Sequence, residues 1–339
     1  MFEQLLEQSP SVIAWLAGSI QGLNWRFANP STENRNDRLP SARMAVELTH
    51  SDSELVCAMR SVITVKYFCA LVVLCNVLIS ACSREPVELG TATYHTDGVA
   101  SCTTLDHRGI AGAHDSEWSP AGIRYSVRTP ANYDGAVAHP LLLVYPGAGQ
   151  SRLAIERFTG LTKAATAAGL VVAYTDHRRL SLKTLDELAM IPTHIATKWC
   201  VDTQRIFLTG HSDGGTAASA IAFREANAPR PRAIAPSAAG LRATDLNAYS
   251  CPPALSVMVL HNSNDELFPG FGVQAAQWWA TCNGCDLTKP DRGFDGCIEY
   301  SRCSKHVEVR YCEHAGGHRL WPDANDRIID FFLNEPKQN

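Results

Sequence analysis

The strongest constraint on the fold is a set of short apolar runs from residue 141 onward. LLLVYPG (141–147), LVVAY (170–174), RIFLTG (205–210) and ALSVMVL (254–260) are each of strand length and show little polar alternation. A strand that is apolar on both faces needs cover on both faces. The intervening stretches 161–168, 182–198, 216–224 and 273–280 have helical spacing, and VEVRYC (307–312) followed by 325–333 adds a last strand and helix. Strands alternating with helices predict an α/β fold with a mainly parallel sheet and helices on both faces. IRYSVRTP (123–130) alternates and ends in proline, which predicts an antiparallel edge strand.

Composition narrows the class. With 339 residues, 45% of them hydrophobic, the chain can bury a large core, which excludes a disordered or collagen-like protein. A net charge of −4, from 30 basic and 34 acidic residues, gives no electrostatic footprint for a nucleic-acid partner.

Residues 59–82, MRSVITVKYFCALVVLCNVLISAC, begin with positive charges, continue as an apolar run and end in small residues, the pattern of a secretory signal. The last four, Ile79-Ser80-Ala81-Cys82, resemble the lipobox of bacterial lipoproteins, which implies lipidation of Cys82. The rival is an uncleaved anchor, but the charge-free run 67–82 falls short of the roughly 20 residues that span a bilayer. The expected location is extracytoplasmic: a lipoprotein of the periplasm or cell surface, attached to membrane only through Cys82, or otherwise a secreted protein. On this reading 1–58 is an over-extended gene model or a disordered tail, 83–120 a coil-rich lead-in, and 121–339 the catalytic domain.

Cysteine usage fits export. Cys57, Cys69 and Cys75 precede Cys82, and eight remain: Cys102, Cys200, Cys251, Cys282, Cys285, Cys297, Cys303 and Cys312. An even number in an oxidising compartment predicts up to four disulfides of unreadable pairing. Five of them crowd into 282–312, so at least one bridge should staple that segment to itself. Cys282-Asn-Gly-Cys285 could instead bind zinc, but the second ligand pair that a structural site needs is missing at that spacing. No metal is expected.

Gly210-His211-Ser212-Asp213-Gly214 matches G-x-S-x-G, with RIFLT before it and TAASAIAF after it. A nucleophilic serine on a sharp strand-to-helix turn needs neighbours without side chains, so that its hydroxyl stands clear of the sheet. The carboxylate and the histidine should follow in that order. Asp265 lies in HNSNDELFPG (261–270), at the carboxyl end of a strand, where catalytic groups of such sheets gather. Its rivals Asp291 and Asp295 lie in the cysteine-rich segment. In EHAGGHRLWPD (313–323), His318 follows two glycines that can return its imidazole over the sheet, whereas His314 is a rival near the strand end. Donors to a developing oxyanion should be the amides of Asp213 and of Ala148, the latter in the glycine-rich loop 146–151. His211 beside the serine, with Gly147 and Trp321 in the flanking loops, are candidates to contact substrate.

These motifs resemble those of the esterase family that includes polyhydroxybutyrate depolymerases and feruloyl esterases. The resemblance runs from about Tyr125 to Pro322 through YSVRTPANYD, PGAGQS, GHSDGG, LHNSNDELFP and GGHRLWP. It implies the α/β-hydrolase fold and hydrolysis of carboxylic esters, small or soluble-polymeric, through an acyl-enzyme and without a cofactor. One departure stands out: Pro146 occupies the position where that family's oxyanion loop commonly begins with histidine. Two alternatives remain: a prolyl-oligopeptidase-like serine peptidase, and a lipid-anchored binding protein that keeps the fold with weak catalysis. Trp278 and Trp279 are expected to pack their helix rather than meet substrate.

Overall fold

The computed structural model describes residues 86–93, 102, 109–224, 228–293 and 296–334. The expectations for 1–85, including the signal and Cys82, and for Asp295 lie outside the described residues.

The apolar runs become the centre of one sheet. Ten strands are present among the described residues: β1 (Ala113–Trp118), β2 (Arg124–Arg128), β3 (His139–Tyr145), β4 (Val171–Thr175), β5 (Val201–His211), β6 (Ala233–Ser237), β7 (Ser256–Asn262), β8 (Asp291–Arg292), β9 (Ile298–Tyr300) and β10 (Val309–His314). Their order is β1-β2-β4-β3-β5-β6-β7-β10-β9-β8. The six from β4 to β10 in this order run parallel, and antiparallel pairs flank them on either side.

The helices are α1 (Arg152–Thr159), α2 (Leu161–Ala167), α3 (Leu182–Ala189), α4 (Ile191–Ala196), α5 (Asp213–Phe223), α6 (Ala243–Leu246), α7 (Phe271–Cys282) and α8 (Asn325–Leu333). The period of two along β3 divides its side chains between two cores. Leu141, Leu143 and Tyr145 join α3, α4, α5 and α7 in one, and Trp278 and Trp279 pack there as expected. Leu142 and Val144 join α1, α2 and α8 in the other. All seven β3 residues are therefore buried. Truncating such a buried leucine to alanine costs about 2–5 kcal/mol.

Local chemistry explains where the elements depart from expectation. The strand expected at 123–130 is not an edge: β2 pairs with β4 on one side and with β1 on the other. β1 lies inside the expected coil-rich lead-in, so part of that segment is sheet. The helix expected over 182–198 breaks into α3 and α4. Pro192 lacks the N–H that an unbroken helix would direct at Leu188. α1, not foreseen, begins at Ser151, whose hydroxyl accepts the Ala154 amide, and ends at Gly160 with φ 62°.

The eight cysteines among the described residues all form disulfides: Cys102–Cys200, Cys251–Cys282, Cys285–Cys303 and Cys297–Cys312. Two bridges staple 282–312 to itself. Cys282 and Cys285 thus bond to different partners.

Candidate active site

The site forms at the carboxyl ends of β5, β7 and β10. Ser212 lies between β5 and α5 with φ 57° and ψ −117°, a backbone conformation that a non-glycine residue rarely adopts. Such strain costs of order 1–3 kcal/mol and persists only where its surroundings enforce it. Here the Ser212 amide donates to the Ser237 carbonyl at 3.0 Å, and Thr216 returns both its amide (2.9 Å) and its hydroxyl (3.0 Å) to the Ser212 carbonyl. The flanking glycines are sterically required. A Cβ on Gly214 would lie 2.0 Å from the Tyr145 carbonyl oxygen, and one on Gly210 would lie 2.5 Å from the same atom.

Three residues far apart in the chain meet at this turn. His318 Nε2 is 2.9 Å from Ser212 Oγ, and His318 Nδ1 is 2.8 Å from Asp265 Oδ2. His318 and Asp265 are buried and Ser212 is half-buried. The Asp265 Oδ1 atom accepts the amides of Leu267 (3.0 Å) and Phe268 (2.8 Å). Burial alone would push the Asp265 carboxyl up. The hydrogen bonds from His318 and Phe268, with the nearby His318 and His261 rings, outweigh it and hold the group below the usual aspartate value. Asp265 therefore stays ionised. An ionised Asp265 fixes the imidazole with its proton on Nδ1, leaving Nε2 free to accept from the serine.

The rivals stand elsewhere. Asp291 is exposed on β8, and His314 ends β10 with its Nε2 buried.

The loop after β3 lies against the serine turn: a Cβ on Gly147 would come 3.6 Å from Ser212 Cβ and 3.4 Å from the His211 carbonyl. Gln150 closes the loop by accepting the Gly147 amide through Oε1 at 3.0 Å and donating its own amide to the Gly147 carbonyl at 3.1 Å. Ala148 is exposed at the tip. Asp213 opens α5, so its amide is one of the helix-end donors without an intrahelical acceptor. His177 spans both parts, donating its amide to the Gln150 carbonyl (3.0 Å) and meeting Asp213 Oδ2 through Nε2 at 3.1 Å.

His211, the expected substrate contact beside the serine, is bonded at both ring nitrogens. Its ring is buried, with Nε2 2.6 Å from the His318 carbonyl oxygen and Nδ1 3.0 Å from Ser237 Oγ. The carbonyl can only accept, so Nε2 carries the proton and Nδ1 takes the serine's. Burial is the largest influence on its pKa and lowers it to about 4, which keeps the ring neutral. Trp321 is half-buried; its indole N–H bonds Asn325 at 2.8 Å and its ring stands edge-on to Phe158 and His211. Phe268 packs edge-on against His318 at 5.0 Å, and Leu267 and Leu320 are exposed nearby in sequence. Among the described residues no cluster of three or more histidine, cysteine or acidic side chains could hold a metal ion.

No family model matches the sequence. Feruloyl esterase B of Piromyces equi is 26% identical over 226 residues, covering 57% of this chain and 42% of that protein. The chain thus spans less than half the length of this relative. Among solved structures, an acetyl xylan esterase from Aspergillus awamori matches with a TM-score of 0.50 at 12% identity, covering 66% of this chain and 99% of that one. This chain has the α/β-hydrolase fold. Within the α/β-hydrolase fold the chain order serine, aspartate, histidine after β5, β7 and β10 is the one the motifs foretold.

Sequence reasoning missed Glu266, Asn262, His177 and Gln150. Each is a polar residue adjoining a strand end or turn. Only adjacency to a motif could have flagged them: Glu266, Asn262 and His177 bond to distant segments, and Gln150 bonds within its own loop.

Proposed function

We propose that this protein is a serine hydrolase of carboxylic esters. The observation that carries the reading is the unbroken chain of contacts Asp265–His318–Ser212, with the serine on its strained turn. In the first step His318 Nε2 takes the Ser212 proton as Oγ attacks the ester carbonyl. The amides of Asp213 and Ala148 receive the negative oxygen, and His318 returns the proton to the departing alcohol. Water, deprotonated by the same imidazole, then releases the acid and restores Ser212. Each oxyanion donor is worth about 2.7–4 kcal/mol of transition-state stabilisation in enzymes of this kind.

The similarity to feruloyl esterase B supports feruloyl esters as the first substrates to try, with hydroxybutyrate oligomers second. Aromatic side chains near the site, Phe158 from α1 with Phe268 and Trp321 from the loops after β7 and β10, suit an acyl group with a flat apolar part. Four disulfides support an oxidising, extracytoplasmic setting, and the lipobox-like sequence supports anchoring through lipid on Cys82.

The test is a panel of feruloyl, short-chain acyl and hydroxybutyrate esters, with an aminoacyl-anilide as amide control and Ser212→Ala as blank. Turnover of an ester that is lost in Ser212→Ala is the expected result. Anilide cleavage faster than any ester would move the assignment to a peptidase, and no turnover of any substrate would contradict it.

A further inference from the structure

Two adjacent pairs of residues grip His318 at four points. Ser212 meets ring Nε2, and its neighbour His211 donates from Nε2 to the His318 carbonyl at 2.6 Å. Asp265 meets ring Nδ1, and its neighbour Glu266 accepts the His318 main-chain amide through Oε2 at 3.0 Å. The same two dipeptides that contact the imidazole therefore also hold the peptide groups on either side of it. Asn262 braces the loop from β7, donating through Nδ2 to the carbonyls of Gly317 and Leu320, both at 2.9 Å.

Gly317 leaves room for this contact: a Cβ there would stand 2.9 Å from Glu266 Oε2, and the carboxylate would have to shift. Gly316, at φ 131°, supplies the reversal that brings the loop back. Without these bonds the loop 315–320 would rest on main-chain contacts at its start, where Asn264 and Ser263 donate to the carbonyls of Gly316 and His314. Base catalysis depends on the imidazole being held within a fraction of an ångström of the serine.

We propose that Glu266 and His211 are positioning residues, fixing the His318 main chain so that its ring is presented to Ser212 at a set angle. This rests on the ester-hydrolase reading. Glu266 is the residue to test, because it is exposed and its replacement leaves both cores intact. Ordinary surface substitutions change stability little.

The experiment compares Glu266→Ala, Glu266→Gln and wild type for kcat and KM on a p-nitrophenyl ester, with thermal midpoints. In Glu266→Ala, kcat should fall by about tenfold with KM changed less than about twofold and the midpoint nearly unchanged. Glu266→Gln, whose amide oxygen can still accept the His318 N–H, should recover most of the loss. Glu266→Ala at wild-type kcat, Glu266→Gln as impaired as Glu266→Ala, or a loss confined to KM would each overturn the proposal. If wild type itself turns over no ester, the hydrolase reading fails, and positioning is then read from the downfield NMR resonance of the His318 Nδ1 proton. Faster exchange of that proton in Glu266→Ala would support the grip, and unchanged exchange would overturn it.

Discussion

Two regions of the later half of the chain solve opposite problems. Around Ser212, three loops from β5, β7 and β10 converge, and side-chain hydrogen bonds fix their geometry to within bonding distance. In the cysteine-rich segment between α7 and β10, β8 and β9 are only two and three residues long, and Leu287, Asp291 and Arg292 are exposed. That segment has little core of its own. Cys285–Cys303 and Cys297–Cys312 fasten it, closing sequence separations of 18 and 15 residues. Hydrogen bonds give orientation where chemistry needs it, and covalent links remove chain entropy where burial is too small to offset it.

The comparison breaks apart under mutation. At the hydrogen-bonded end Asp265→Asn should lower kcat by about 10⁴-fold, by analogy with the same change in other serine hydrolases, because the imidazole loses its tautomer-setting partner. Steady-state kinetics checks this, and a fall below tenfold would remove Asp265 from the site. At the covalent end, replacing Cys297 and Cys312 together by serine should lower unfolding stability by about 3 kcal/mol in denaturant titration. Ester turnover in that variant should stay within about twofold of wild type, since no site residue depends on the bridge. Loss of turnover in the still-folded variant would mean that the two regions are coupled.

A subtler effect separates them by pH. An unfolded histidine takes up its proton near pH 6.5, whereas buried His211 resists protonation down to about 4. Between these values the unfolded state binds more protons, so stability should fall as pH drops through this window. His211→Gln should flatten that part of the stability profile, whereas the Cys297/Cys312 serine variant should lower the whole curve without changing its slope. Equal slopes in wild type and His211→Gln would contradict the neutral, buried assignment. The smallest effect belongs to the exposed Lys163–Glu88 ion pair. Lys163→Ala should leave both turnover and thermal midpoint essentially unchanged, as isolated surface pairs usually do.

Much of this was legible in the residues. LLLVY announced a strand buried on both faces, and the glycines of GHSDGG announced a turn that tolerates no side chain beside the Tyr145 carbonyl. Asp265 and His318 could be read because each follows a strand in the required order. β1 could not be read, since AHDSEW offers no clear apolar stripe and borders the sheet with mostly exposed or half-buried residues. β6, as AIAPS, hid behind Pro236. Disulfide pairing depended on tertiary proximity alone. Glu266 and Asn262 stayed silent for the same reason: the atoms they hold lie more than fifty residues further along the chain.

The central claim is that Ser212 is activated by His318, and covalent labelling with a fluorophosphonate tests it most directly. Peptide mass mapping should find the phosphonyl group on Ser212 in wild type and almost none in His318→Ala. A wild-type Ser212 that stays unlabelled, or labels as readily without the imidazole, would contradict it.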